Sequence, residues 1–396
     1  MRRINMKRRF RNVLCLMLSL IFTTQFCNMP AKAENKDDKG IVVQAKSALL
    51  MEPTSGKIIY EKNSHEKFAP ASVTKIMTML LAMEAVDSGK IKLTDKITVS
   101  ENSKKMGGSS MILDTGEVRT VEEILKGIAI ASGNDAAVAM AEYLAGSEGA
   151  FVNMMNAKAK SLDMKDTSFK NCTGLSADGH ITTAYDISIM SRELLKHPKI
   201  LKYSSTYMET ISEGRKAPIG LVNHNKLVRF FNGCDGLKTG FTNEAKYCIS
   251  ATAKQNNVRV LAIIMGAPTF KIRNSDASML MNYGFSKFET KKVIVKDQNL
   301  EKVILNKKGD KFLIAKAQED FLLTLERGNK NIITKKLVLK QGLIDYKKNV
   351  VIGSCEIYVD NKLCGKINIC SDRDIKKSRV WDNIINNFTD LFDKAI

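Results

Sequence analysis

Apolar residues run together at length only once, from Val13 to Cys27, and beyond that run the pattern changes character twice. From Glu34 to about Ser286, short strand-like runs mix with longer apolar stretches. Ile76 to Ala82, Ile124 to Ile130 and Ala136 to Leu144 predict buried helices, while Tyr247 to Thr252 and Val258 to Met265 predict strands of an antiparallel sheet. From Lys287 to about Ser371 the rhythm is one of short alternating runs. Examples are Lys292-Val293-Ile294-Val295, Lys311-Phe312-Leu313-Ile314, Phe321-Leu322-Leu323-Thr324-Leu325 and Glu356-Ile357-Tyr358-Val359. Turn signals at Lys308-Gly309-Asp310 and Arg327-Gly328-Asn329 punctuate them, which predicts a small all-β domain. Asp372 to Ile396 returns to helical spacing, with Trp381, Ile384, Ile385, Phe388, Leu391 and Phe392 on one face. The chain thus reads as α+β in four parts: residues 1–33, 34–286, 287–371 and 372–396.

Composition narrows the class. With 396 residues, 44% hydrophobic and 26% charged, the make-up is ordinary and globular, which excludes disorder, a collagen-like fibre and a polytopic membrane protein. The start carries Arg2, Arg3, Lys7, Arg8, Arg9 and Arg11 with no acid, and Ala31-Lys32-Ala33 places small residues at the two positions a signal peptidase reads. Residues 1–33 are therefore expected to be an export signal cleaved before Glu34, with an uncleaved anchor as the alternative. Seven basic groups leave with it, so the net charge of +20 becomes +13 in the mature chain, spread as solvated Lys. There is no zinc-finger spacing and no RNA-binding aromatic motif, so no nucleic-acid partner is expected. An anionic wall or membrane surface suits that charge better.

Cysteine spacing adds little. The mature cysteines Cys172, Cys234, Cys248, Cys355, Cys364 and Cys370 form neither a CxxC nor a dense framework, so no metal, cofactor or disulfide scaffold is implied. Cys355, Cys364 and Cys370 leave room for one disulfide or for buried thiols. At the tail, residues 373–396 carry five basic and four acidic groups, and a Trp-bearing amphipathic helix there suits a membrane interface. Packing on the β-rich domain or on a partner is the alternative.

Three short strings carry chemistry. The first, Ala69-Pro70-Ala71-Ser72-Val73-Thr74-Lys75, opens the helix at Ile76. Pro70 stops the helix from extending backwards, so Ser72 falls at its N-terminus, where free N–H groups favour developing negative charge. Lys75 lies three residues on and shares a face with Ser72. Burial of such an amine lowers its pKa and makes a proton acceptor of it, giving a nucleophile–base pair. A capping Ser followed by a surface Lys satisfies the same tetrad. Ser64-His65-Glu66-Lys67 repeats the spacing but opens no apolar helix and reads as a decoy.

The second string, Ala131-Ser132-Gly133-Asn134-Asp135, interrupts two helical runs, so a hydroxyl from Ser132 and an amide from Asn134 can be aimed at one point. A simple helix cap explains Ser132 as well, and Ser100-Glu101-Asn102 has the same spacing in a polar loop. The third string is Gly236-Leu237-Lys238-Thr239-Gly240-Phe241, expected on an edge strand. Gly240 admits a close backbone approach, and Lys238 with Thr239 offers a cation and a hydroxyl to a carboxylate. A turn with a solvated Lys is the plain alternative.

Ser-x-x-Lys, Ser-x-Asn and Lys-Thr-Gly in this order, on an exported chain, is the pattern of penicillin-binding proteins and class A β-lactamases. The sequence resembles the low-molecular-weight penicillin-binding proteins that act as serine-type D-Ala-D-Ala carboxypeptidases. Further matches are Ala48 to Glu52 with Ser55-Gly56-Lys57, Lys170-Asn171-Cys172-Thr173-Gly174-Leu175, Thr183-Ala184-Tyr185-Asp186, Asn223-His224-Asn225-Lys226-Leu227 and Tyr283-Gly284-Phe285. The resemblance covers about Ala45 to the C-terminus and implies a transpeptidase-like domain, an antiparallel sheet with a helical cluster, ahead of the β-rich domain.

It also implies the partners: a peptidoglycan stem peptide ending in D-Ala-D-Ala, β-lactam antibiotics, and a membrane surface through the C-terminal helix. It implies that Lys75 takes the Ser72 proton, that Ser72 attacks the penultimate D-Ala carbonyl, and that the N–H groups of Ser72 and Phe241 hold the oxyanion. Asn134 then orients the substrate amide, Ser132 passes a proton to the leaving D-Ala, and Lys238 and Thr239 hold the terminal carboxylate. Two positions depart from the family: Phe241 stands where several relatives have His, and Cys172 where Pro is common.

A β-lactamase shares the acylation chemistry but needs an additional Glu, usually within Glu-x-x-Leu-Asn, and no such string lies between Ser132 and Lys238. The β-rich domain also argues against one. A wall-sensing protein with little turnover conflicts with the complete set of expected catalytic residues. A metallopeptidase lacks its motif: His65, His180, His197 and His224 form no His-Glu-x-x-His.

Overall fold

The structure is a computed structural model that describes residues 41–211, 217–305, 312–340 and 347–374. The export signal and the C-terminal amphipathic helix expected from the sequence lie outside the described residues, as does the turn at Lys308-Gly309-Asp310. No helix among the described residues is long and apolar enough to cross a membrane.

The first domain is built on a five-stranded antiparallel sheet. Its strands are β1 (Ser47–Glu52), β2 (Lys57–Lys62), β3 (Cys234–Thr242), β4 (Lys246–Gln255) and β5 (Val258–Ala267), in the spatial order β2-β1-β5-β4-β3. The two ends of the chain segment thus meet at the sheet's centre, where β1 pairs with β5, Leu49 facing Ile263. Alternation sorts the side chains. Leu49, Met51, Leu261, Ile263 and Met265 join the large core under the helical cluster. Leu50 and Val260 point the other way, towards Gly284 of the last helix. A strand buried on both faces cannot show polar alternation, which is why Val258 to Met265 reads as one apolar run.

The helical cluster consists of α1 (Lys75–Asp87), α2 (Val121–Ala129), α3 (Asn134–Ala145), α4 (Glu148–Ser161) and α5 (Ala184–Leu195). Helix α1 is almost entirely buried, and α3, α4 and α5 pack around it. Each start has a local cause. Thr120 caps α2 in a reciprocal capping box with Glu123, Ser147 caps α4, and Thr183 caps α5 by accepting from Asp186 N. Helix α6 (Phe270–Lys287), capped by Thr269, lies against β4 and β5. It approaches closely at Gly284, where a Cβ would stand 2.7 Å from Val260 Cγ1.

Helix α6 runs straight into β6 (Phe288–Ile294), the first strand of an all-β region. The others are β7 (Asn299–Ile304), β8 (Phe312–Ala317), β9 (Phe321–Glu326), β10 (Ile333–Leu339), β11 (Val351–Val359) and β12 (Lys362–Ser371). Strands β6 and β9 form a ribbon, and the rest form an antiparallel sheet in the order β7-β8-β12-β11-β10. Their inward residues, among them Val303, Leu313, Ile357, Ile367 and Ile369, make a second core. The six cysteines from Cys172 onward are free thiols, and all but Cys364 are buried. The room left in the sequence for a disulfide among Cys355, Cys364 and Cys370 is therefore not used.

Candidate active site

Pro70 leads into a 3-10 turn over Ala71–Thr74, and α1 begins at Lys75. Ala71 is held at a φ of +48°, a left-handed conformation that costs an alanine free energy and bends the chain just before Ser72. Gly174 secures the bend from outside: at its φ of +85° a Cβ would stand 1.8 Å from Ala71 O and 2.9 Å from Ser72 N. On the other side Gly240 of β3 lies equally close, its would-be Cβ 2.9 Å from Ser72 N. Two glycines therefore clasp the Ser72 peptide.

Lys75 is completely buried, and its Nζ meets three oxygens: Ser72 Oγ at 3.0 Å, Asn134 Oδ1 at 2.5 Å and Thr173 O at 2.7 Å. Burial brings its pKa from 10.5 to about 7. Negative charge on Cys172 or Asp135 would raise it, but burial keeps the Cys172 thiol far above its ordinary range and so uncharged, which leaves Asp135 as the acting anion. The Asn134 amide oxygen and the Thr173 carbonyl can only accept. An uncharged amine has two N–H groups and one lone pair, so those two acceptors consume its donors and the lone pair faces the Ser72 hydroxyl.

Ser132 is buried on the turn between α2 and α3, with φ at +60°. Asn134 is the first residue of α3, and its Nδ2 donates to Gly107 O at 2.6 Å. The loop that supplies Gly107 is braced by Asp135, whose carboxylate accepts from Met111 N at 3.0 Å, Leu113 N at 3.1 Å and Ser110 Oγ at 2.6 Å.

The third string lies on β3, at the edge of the sheet among the described residues. Lys238, Thr239, Gly240 and Phe241 face Ser250, Ile249, Cys248 and Tyr247 of β4. Lys238 and Thr239 are buried, and Lys238 Nζ donates to Thr239 O at 2.9 Å. Burial, followed by the fields of Lys75 and Arg273, holds the Lys238 amine well below its ordinary range. Arg273, buried on α6, is itself brought down to about 10 by burial, and neither it nor Lys238 forms an ion pair among the described residues. Two basic groups held together with no carboxylate paired to either favour their charged forms when a carboxylate enters.

A family model for D-alanyl-D-alanine carboxypeptidases matches residues 31–269. The chain belongs to the D-alanyl-D-alanine carboxypeptidase family. It is thus a serine-type peptidase, a hydrolase. A second model, for the C-terminal domain of penicillin-binding protein 5, matches residues 288–377. The chain is 43% identical over 365 residues to D-alanyl-D-alanine carboxypeptidase DacF of Bacillus subtilis, covering 92% of this chain and 94% of that one. It is 33% identical to DacC of Escherichia coli over 88% of this chain and 90% of that protein. Among solved structures, penicillin-binding protein 3 of Streptococcus pneumoniae superposes with a TM-score of 0.70 at 26% identity, covering 85% of this chain and 100% of that one. Penicillin-binding protein 5 of Haemophilus influenzae gives 0.62 at 29% identity, with coverage of 85% and 98%.

In this member of the carboxypeptidase family the decoys are accounted for. Ser64 Oγ donates to Glu61 at 2.8 Å and Lys67 pairs with Asp166 at 3.0 Å, so that tetrad is structural. Ser100 caps a short helical turn by accepting from Ser103 N at 2.9 Å. Several site residues escape sequence reasoning. The Thr173 carbonyl is a backbone atom, and any residue could present it. Asp135 acts as a brace, and Arg273 stands 35 positions after Lys238. His180 is buried behind the Ser72 turn: Lys170 N donates to its Nδ1 at 3.0 Å, so its Nε2–H donates to Thr74 Oγ1 at 2.8 Å. Burial lowers its pKa to about 4 and keeps it in that neutral form.

Proposed function

We propose that Ser72 is the acylated nucleophile of this D-alanyl-D-alanine carboxypeptidase and that uncharged Lys75 is its general base. The observation that carries the reading is the saturation of both Lys75 N–H groups by Asn134 Oδ1 and Thr173 O, which turns the amine lone pair towards Ser72. The lone pair takes the hydroxyl proton as Oγ attacks the penultimate D-Ala carbonyl. The N–H groups of Ser72 and Phe241 hold the resulting oxyanion, Asn134 orients the substrate amide, and Ser132 hands a proton to the departing D-Ala. Lys238 and Thr239, with Arg273 adding positive field, receive the terminal carboxylate and so favour free C-termini. Water then releases the shortened stem peptide from Ser72. A β-lactam acylates the same oxygen and leaves a ring remnant in the way of that water.

Residues 1–33 serve as the export signal, 34–286 as the catalytic domain, 287–371 as a spacer or interaction domain, and 372–396 as a helix that rests on the outer face of the cytoplasmic membrane. The helix reading rests on the apolar face from Trp381 to Phe392. The signal reading predicts a mature chain that begins at Glu34 by N-terminal sequencing. The activity itself is tested with a pentapeptide ending in D-Ala-D-Ala: the wild-type chain releases free D-Ala and takes a penicillin label, and Ser72→Ala does neither. Persistent labelling of that variant would move the nucleophile elsewhere.

A further inference from the structure

Helix α3 opens with two polar residues, Asn134 and Asp135, and both turn back onto residues 107–113. Asn134 is gripped there twice: its backbone N–H donates to Ser109 O at 2.7 Å and its Nδ2 to Gly107 O at 2.6 Å. The second bond fixes which way the amide faces. Oδ1 meets Lys75 Nζ, one N–H of Nδ2 is spent on Gly107 O, and the other N–H has no protein acceptor among the described residues. Gly108 keeps that nitrogen approachable, since a Cβ on it would stand 2.8 Å from Nδ2.

Asp135 holds the segment that does this. Its carboxylate is only 2% exposed, so its oxygens must find donors within the protein. Oδ1 accepts from Met111 N at 3.0 Å and Ala136 N at 2.8 Å, and Oδ2 accepts from Ser110 Oγ at 2.6 Å and Leu113 N at 3.1 Å. A first-turn carboxylate serving only its own helix would account for Ala136 N; the other three donors all belong to the 107–113 segment. Both ends of the side chain must accept, which an asparagine cannot do. With one oxygen and one amino group it would set an N–H against a backbone N–H at one end or the other.

We propose that Asp135 is a positioning residue: through residues 107–113 it sets the orientation of the Asn134 amide and so presents one N–H to the carbonyl of the amide on the acyl side of the substrate. The inference rests on the reading of Asn134 as the group that orients the substrate amide. Its consequence is a preference for acyl donors that carry that amide, as stem peptides and acylamino β-lactams do, over donors with a free amine in its place. Asp135 makes no hydrogen bond to Ser72 or Lys75, so its contribution falls on recognition of the amide.

The test compares second-order acylation of the full chain by 6-acetamidopenicillanic acid and by 6-aminopenicillanic acid, one ring system with the amide and with a free amine. The quantity read is the ratio of the two rate constants within one preparation, so any loss of folded enzyme cancels. In the wild type the amide-bearing compound reacts faster. Asp135→Asn lowers the ratio by roughly three- to tenfold, the range one hydrogen bond supplies. Ser110→Ala removes one of Asp135's partners at an exposed position and lowers the ratio by a smaller factor. An unchanged ratio in Asp135→Asn, with the wild-type preference in place, overturns the positioning role and leaves Asn134 as the amide partner. Where Asp135→Asn yields no folded protein, the Ser110→Ala ratio decides, and no change there overturns the role. A wild type that reacts equally with both compounds overturns the reading of Asn134, and the inference with it.

Discussion

The pH dependence of acylation tests the arrangement at Lys75 most directly. The perturbation is a change of pH from 6 to 9, applied to the wild-type chain reacting with a fluorescent penicillin. With a pKa of about 7, Lys75 is uncharged in about a tenth of molecules at pH 6, half at pH 7 and nine-tenths at pH 8. The second-order rate constant therefore rises about tenfold from pH 6 to 8 and changes by only about a tenth from pH 8 to 9. A lysine left at its ordinary pKa of 10.5 behaves differently, gaining about tenfold for every unit up to pH 9 and beyond. The interval from 8 to 9 thus separates the two cases. Neighbouring histidines do not confuse it: His180 and His224, both lowered to about 4 by burial first, stay neutral throughout. Stopped-flow measurement under pseudo-first-order conditions gives the rate constants. A curve still climbing tenfold between pH 8 and 9 would refute the uncharged-amine argument.

Three further outcomes are expected. Gly174→Ala places a methyl 1.8 Å from Ala71 O and must shift the nucleophile turn, so penicillin acylation falls by about a hundredfold; near wild-type labelling would show that the turn tolerates displacement. In stability, the unfolded chain holds the Lys75 proton up to about 10.5 while the folded chain loses it near 7, so folding gains as pH rises between those values. The unfolding free energy of wild type from urea melts should therefore improve by roughly 2 kcal/mol relative to Lys75→Met between pH 7 and 9, and parallel pH curves would contradict the buried neutral amine. A chain ending at Ser371 should leave the membrane fraction, and one that remained there would remove the interfacial role of the tail.

The fold was legible where burial imposes a period. Tyr247 to Thr252 and Val258 to Met265 lie within β4 and β5, and the runs opening at Ile76, Ile124 and Ala136 lie in α1, α2 and α3, because side chains between two packed layers must all be apolar. Strand β10 shows why alternation fades at a sheet's edge, since Lys335 and Lys336 follow one another on an outer strand with little buried surface to enforce it. In the site, what could be read was what a side chain must be: a hydroxyl, an amine, an amide, a glycine. What could not be read depends on where the backbone goes. Thr173 matters through its carbonyl, Gly174 through its left-handed φ, and Arg273 through a helix that returns to the sheet after a long detour.

The three contacts of Lys75 have a practical consequence for anyone wanting an inactive form of this protein. Its amine ties together the Ser72 turn, the start of α3 and the loop at Thr173, the last of which α1 also holds through Thr78 Oγ1, which donates to Cys172 O at 2.8 Å. Shortening that side chain unfastens a rivet as well as removing the proposed base, and the resulting protein would report on looseness and lost chemistry together. Ser72, which contributes one exposed-side hydroxyl to the same junction, is the better choice for trapping a bound stem peptide in an otherwise undisturbed cleft.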